Sequence, residues 1–159
     1  MKFAVISDTH DNVPAIRDLV DSLKNEDVEF VVHAGDVISP FAMKELSKLN
    51  AKIYLAFGNN DGDRPKLMEI AAENGWIVGD IVTFPCEGGG VVYHGTDTRI
   101  REILKNSKYK FIVFGHTHEA KKEIEPGKIV LNPGEVCGYL TGRRTFALIE
   151  DEDVNIIEF

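Results

Sequence analysis

Lys2-Phe3-Ala4-Val5-Ile6-Ser7-Asp8-Thr9-His10 decides the reading of the chain: an unbroken apolar run that ends in a carboxylate and an imidazole two residues apart. Short runs that are β-branched or aromatic and free of charge read as strands buried on both faces. Phe30-Val31-Val32, Ile53-Tyr54-Leu55-Ala56-Phe57 and Phe111-Ile112-Val113-Phe114 repeat the pattern. Between the first two, Val13, Ile16, Val20 and Leu23 recur at helical spacing within Asn12–Asn25, and Asn12 with Pro14 supplies start chemistry for a helix. Ser39-Pro40 opens a second helix with Ala42, Leu46 and Leu49 on one face. A third follows Asp63 and turns Leu67, Ile70 and Ala71 inward. Strands separated by helical crossovers pair in parallel, with right-handed connections, so the first half is α/β.

Farther along, two apolar runs within Ile81–His94 flank Glu87-Gly88-Gly89-Gly90, a spacing that suits a hairpin and makes the sheet mixed. A helix over Thr98–Lys105 and strands at Ile129–Leu131, Thr145–Ile149 and Val154–Phe159 complete the expectation, with Asp151-Glu152-Asp153 as an exposed turn. Without repeat or linker, residues 1–159 read as one domain. Lys and Arg number 18 against 26 Asp and Glu, a net charge of −8, so the chain lacks the basic surface that stable nucleic-acid binding uses. Two cysteines, Cys86 and Cys137, are too few for a disulfide framework or a thiolate zinc site, and they read as structural. Asp8 arrives too early for a signal peptide and no apolar run reaches membrane-spanning length, so the expected setting is cytoplasmic.

The polar residues gather at the ends of the strands. Asp8-Thr9-His10, Gly35-Asp36, Gly58-Asn59-Asn60-Asp61, Tyr93-His94-Gly95 and Gly115-His116-Thr117-His118 each follow a strand candidate. Ligands of open α/β sheets bind beyond the carboxyl ends of strands, where such loops converge. If the backbone there is extended, residues i and i+2 face one way, which pairs Asp8 with His10 and His116 with His118. Asp36, Asn59 and His94 bring the set to seven oxygen or nitrogen donors, more than one tetrahedral ion takes but suited to two ions sharing a carboxylate. Imidazole, carboxylate and amide without thiolate favour manganese, iron, nickel or zinc. Gly35, Gly58, Gly95 and Gly115 each adjoin a donor, as sharp turns or close backbone approaches require. His33 reads instead as a hydrogen-bonded core histidine, Arg143-Arg144 and Glu150–Asp153 as surface, and Gly88-Gly89-Gly90 as a turn without the ending of a P-loop.

From Lys2 to about Gly134, the ordered series Asp8-x-His10, Gly35-Asp36, Gly58-Asn59-x-Asp61, His94-Gly95 and Gly115-His116-x-His118 resembles the calcineurin-like metallophosphoesterase family. The small size and Asn132-Pro133-Gly134 resemble its small prokaryotic phosphodiesterases. The resemblance implies a four-layer α/β/β/α sandwich of two mixed sheets flanked by helices, a second sheet that composition alone does not show. It implies Asp8, His10, Asp36 and His118 on one metal ion, and Asp36, Asn59, His94 and His116 on another. Asp36 is then the bridge, a water or hydroxide between the ions is the nucleophile, and Asn59 also donates to a phosphate oxygen. The implied function is a metal-dependent phosphodiesterase acting on small phosphodiesters or nucleotides with two divalent ions, manganese first, with nickel, iron or zinc as alternatives. A phosphomonoesterase and a non-enzymatic scaffold on the same fold are the rival readings. The expected partner is a small phosphate ester, with no membrane, and a homo-oligomer stays open. Two positions depart from relatives: Asn60 stands where many carry histidine and cannot serve as a general acid, and Glu135 follows Asn-Pro-Gly where serine is common. Glu135 is expected either to repel an anionic substrate or to face solvent.

Overall fold

A computed structural model describes residues 1–159. In chain order the elements are β1 (Lys2–Ile6), α1 (Val13–Leu23), β2 (Phe30–His33), α2 (Pro40–Leu46), a 3-10 turn (Ser47–Leu49), β3 (Lys52–Ala56), α3 (Arg64–Glu73), β4 (Ile77–Gly79), β5 (Ile81–Phe84), β6 (Gly90–Tyr93), α4 (Thr98–Lys105), β7 (Phe111–Val113), β8 (Lys121–Glu125), β9 (Lys128–Asn132), β10 (Thr145–Glu150) and β11 (Asp153–Glu158).

Alternation within single strands builds the layers. On β1, Ala4 and Ile6 face the helices while Phe3 and Val5 face a second sheet, and all four are buried. Both faces are covered, which is why the sequence runs apolar without a break. The first sheet has strand order β11-β10-β1-β2-β3-β4, with β1 to β4 parallel and β10 and β11 antiparallel at one edge. The second has order β5-β6-β7-β9-β8, with β6, β7 and β9 parallel. Phe3 stacks on Phe30 with ring centroids 4.8 Å apart and meets Phe111 of the second sheet edge-on at 5.7 Å, so aromatic packing joins the sheets. On the outer face of the second sheet, Val91, Tyr93, Ile112 and Phe114 pack with Leu104 of α4. The four-layer sandwich of two mixed sheets is therefore the observed architecture.

Helix boundaries follow local chemistry. Asn12 accepts from the Ala15 N–H, Ser39 from Ala42 and Asp63 from Lys66, each with proline in the first turn. The buried stripe of α1 is Ala15, Ile16, Leu19 and Leu23, and Val13 and Val20 lie at its margin rather than its centre. The Glu87–Gly89 hairpin between β5 and β6 and the Asp151–Glu152 turn between β10 and β11 form as their sequences indicate. Two strands escape periodicity: β4 spans only three residues, and β8 is a sheet edge of mostly exposed Lys and Glu. Such an edge carries charge that discourages pairing with other chains and so lacks a strand's apolar signature. No helix is long and apolar enough to cross a membrane.

Candidate metal centre

All seven predicted donors meet beyond the carboxyl ends of the parallel strands. The first sheet supplies Asp8 and His10 after β1, Asp36 after β2 and Asn59 after β3, while the second supplies His94 after β6 and His116 and His118 after β7. His118 Nε2 lies 3.3 Å from Asp8 Oδ1, and His10 Nε2 lies 3.7 Å from Asp36 Oδ2. On the other side, His94 Nε2 lies 3.4 Å from the same Asp36 oxygen and 3.0 Å from Asn59 Oδ1, which is 3.1 Å from His116 Nδ1. Asp36 Oδ2 thus stands between two groups of donors.

The backbone reaches this arrangement by a route other than the extended one. Asp8, His10, Asp36, His116 and His118 all have positive φ, from 44° to 68°. The i, i+2 argument from extended backbone is therefore corrected. The strands end first, and left-handed backbone at these five residues redirects their side chains. Such residues are costly outside glycine and persist where surroundings over-determine them. Here the surroundings are hydrogen bonds: Asp8 N donates to Gly35 O at 2.9 Å, His10 N to Asp36 O at 2.8 Å and His116 N to Asp8 Oδ2 at 3.1 Å. Two of the flanking glycines are required by close contact as well: a Cβ on Gly58 would lie 2.1 Å from Asp36 Oδ1, and one on Gly35 2.7 Å from His94 Nδ1.

These residues fit divalent cations. Asp8 Oδ1 and His10 Nε2 are buried with no hydrogen-bond partner. His94 donates from Nδ1 to the Ala34 carbonyl at 2.6 Å, so its Nε2 presents a lone pair to Asp36 Oδ2 and Asn59 Oδ1, which offer only lone pairs themselves. Acceptors converging without a donor need a proton or a cation between them. Burial alone would raise the Asp36 carboxyl and lower the His94 imidazole, yet their mutual contact outweighs it: Asp36 is held well below the usual carboxylate range and His94 is raised. Asp8 is raised by burial, which the 2.5 Å hydrogen bond from Ser7 only partly offsets. Burial and the neighbouring His94 lower His116. Cys137 Sγ also lies close to His10 and His118, but burial pushes its thiol up to about 12 and it donates to Glu135, so it stays a protonated neighbour.

Several residues around the donors carry more of the site than sequence reading assigned to them. Asp61 gathers three N–H groups, from Asp36 at 3.0 Å and Gly58 at 2.7 Å, both buried, and from half-buried Ile38 at 2.7 Å, and so ties the loops after β2 and β3 together. Asn60 grips Asp36 itself, its N–H donating to Asp36 Oδ1 at 2.9 Å and its amide to Oδ2 at 2.8 Å. Glu135 faces neither substrate nor solvent. It is fully buried and bonded to His118, which corrects the expectation for that position. Burial pushes its carboxyl up, but donors from His118 and Thr141 outweigh this and hold it at about 2. His33, as expected, belongs to the core, accepting from Gly35 N at 3.0 Å and facing Thr9 Oγ1 at 3.0 Å. At the mouth, Tyr139 lies 5.9 Å from the His10 ring and donates to Asp11.

A family model described as the calcineurin-like phosphoesterase superfamily domain matches residues 1–153. The chain belongs to the calcineurin-like phosphoesterase superfamily. It is 40% identical over 158 residues to a phosphodiesterase of Methanocaldococcus jannaschii, covering 96% of this chain and 94% of that one. A solved structure described as a novel archaeal phosphodiesterase matches with a TM-score of 0.93 at 36% identity, over 100% of both chains. Vps29 of Entamoeba histolytica, solved in complex with Zn²⁺, shares the fold alone, with a TM-score of 0.73 at 21% identity over 99% of this chain and 91% of that one. Membership of this metal-dependent superfamily makes the chain a phosphoric ester hydrolase.

Proposed function

We propose that residues 1–159 form one catalytic domain, a phosphodiesterase that hydrolyses small phosphodiesters or nucleotides at a dinuclear centre. The observation that supports it best is the position of Asp36 Oδ2, 3.7 Å from His10 Nε2 and 3.4 Å from His94 Nε2, with separate donor groups on either side. In this reading Asp8, His10, Asp36 and His118 hold one ion, and Asp36, Asn59, His94 and His116 the other. Two divalent ions held there, manganese first and nickel, iron or zinc otherwise, would supply an activated water and neutralise charge on the phosphate oxygens.

The chain's own groups do the rest. Asp36 accepts two hydrogen bonds from Asn60, and its carboxylate joins the two donor sets. Asn59 is exposed at the mouth, where its amide can donate to a phosphate oxygen of a bound ester. Neither Ser7 nor Cys137 is free to act as a protein nucleophile: Ser7 is spent on Asp8 and Cys137 on Glu135.

The test is turnover by metal-stripped protein reconstituted with manganese, nickel or zinc, on matched aryl phosphodiester and phosphomonoester substrates. The diester should be hydrolysed faster, and only with metal. Preference for the monoester would favour a phosphomonoesterase, and inactivity across all metals and esters would leave a scaffold.

A further inference from the structure

Glu135 is completely buried, and its two oxygens together serve two tasks. Oε1 accepts from the Thr141 N–H at 2.7 Å, the Thr141 hydroxyl at 2.8 Å and the Leu140 N–H at 3.1 Å. Oε2 accepts from His118 Nδ1, from the Cys137 thiol at 3.3 Å and from the Leu140 N–H at 3.3 Å. One oxygen therefore holds the loop that carries Tyr139, whose ring lies 5.9 Å from that of His10. The other shares in that hold and also binds an imidazole whose opposite nitrogen, Nε2, faces Asp8 Oδ1 at 3.3 Å. Both tasks end at the same donor group.

We propose that Glu135 is a positioning residue of the metal centre, fixing His118 with its proton on Nδ1 and its Nε2 lone pair aimed at the ion, and tying the Tyr139–Thr141 loop to the same mouth. The inference rests on the reading of His118 as a metal ligand. A ligating imidazole that donates its other N–H to a carboxylate has one tautomer and one ring orientation, and the carboxylate raises its basicity. A serine at this position has a shorter arm and no charge, and could not serve both His118 and the loop. Glu135 also has no free edge for substrate, because both oxygens are already occupied by donors of the chain itself.

Manganese binding, measured by equilibrium dialysis with metal counting, tests this on the wild-type chain, Glu135→Gln, His118→Ala and the double variant, with circular dichroism confirming that each is folded. Glu135→Gln should weaken Mn²⁺ binding about 10–100-fold, the usual cost of losing such a partner. In the His118→Ala background the same change should add little, because the route through the imidazole is already gone. Unchanged affinity in Glu135→Gln, or an equal loss in both backgrounds, would overturn the role of Glu135 while leaving the metal centre standing. A wild-type chain that takes up no divalent ion would overturn the metal centre, and this inference with it. If Glu135→Gln does not fold, the wild-type Zn²⁺-loaded protein still decides. Its NMR spectrum should show a downfield, slowly exchanging Nδ1 proton that disappears in His118→Ala, and absence of that proton would contradict the proposal.

Discussion

At the scale of single residues, Asn60 and His33 show how the same kind of side chain can be read in or out of a site. Asn60 has no ionisable group, so the charge on a leaving oxygen must be borne by metal, water or another donor. Rates should therefore depend steeply on leaving-group pKa, with aryl diesters outpacing alkyl diesters. Asn60→His retains the backbone N–H to Asp36 Oδ1 and should speed poor leaving groups by about tenfold or more, within the roughly 10²–10⁴-fold range of a positioned general acid. A graded ester series on both proteins checks this, and a shallow slope in the wild type would show that another group supplies the proton. His33 is the opposite case. Burial pushes its pKa down from 6.5 to about 3, so the folded chain refuses a proton that the unfolded chain accepts. Its contribution to stability is full above pH 6.5 and is lost as pH falls towards about 3. Denaturant titrations of the metal-free chain should show that decline, and His33→Gln should flatten it. An unchanged slope in His33→Gln would contradict the assignment. Sequence reading separated these two residues correctly because His33 lies within a strand and Asn60 beyond one.

Among elements, the loops after the strands carry the specificity of the fold, and Asp61 is their shared anchor. Asp61→Ala orphans three N–H groups, two of them buried, and should destabilise the chain by about 2 kcal/mol or more, each unsatisfied buried group costing roughly 1–3 kcal/mol. Asp61→Asn, which keeps one acceptor oxygen, should fall between that variant and the wild type in chemical denaturation. Equal stability of all three proteins would show that the loops hold without it. The convergence of the seven side chains was legible in the sequence because strand ends, glycines and histidines recur together. Their backbone was not, since left-handed φ at Asp8, His10, Asp36, His116 and His118 depends on hydrogen bonds between loops far apart in the chain. Glu135 was misread for a related reason: its partners His118 and Thr141 are 17 and 6 residues away, and no periodicity announces them.

Across the whole molecule, the donor set spans both sheets. The second sheet itself was legible only through the family resemblance, because Phe111-Ile112-Val113 and Phe30-Val31-Val32 look alike as sequence yet sit in different sheets. A centre built from both sheets should resist unfolding when filled, since a ligand bound only by the folded chain stabilises it by about 2.7 kcal/mol at a hundredfold excess over its dissociation constant. Manganese should accordingly raise the melting temperature of the stripped protein, and no shift at saturation would count against a preformed site. The central claim is tested most directly by titrating metal-stripped wild-type and Asp36→Ala protein with Mn²⁺ while counting bound ions and following hydrolysis of an aryl phosphodiester. The account predicts two ions per wild-type chain, turnover that appears only as they bind, and loss of both ions and turnover in Asp36→Ala. Full activity under stringent chelation, or two ions and near-normal turnover in Asp36→Ala, would contradict it.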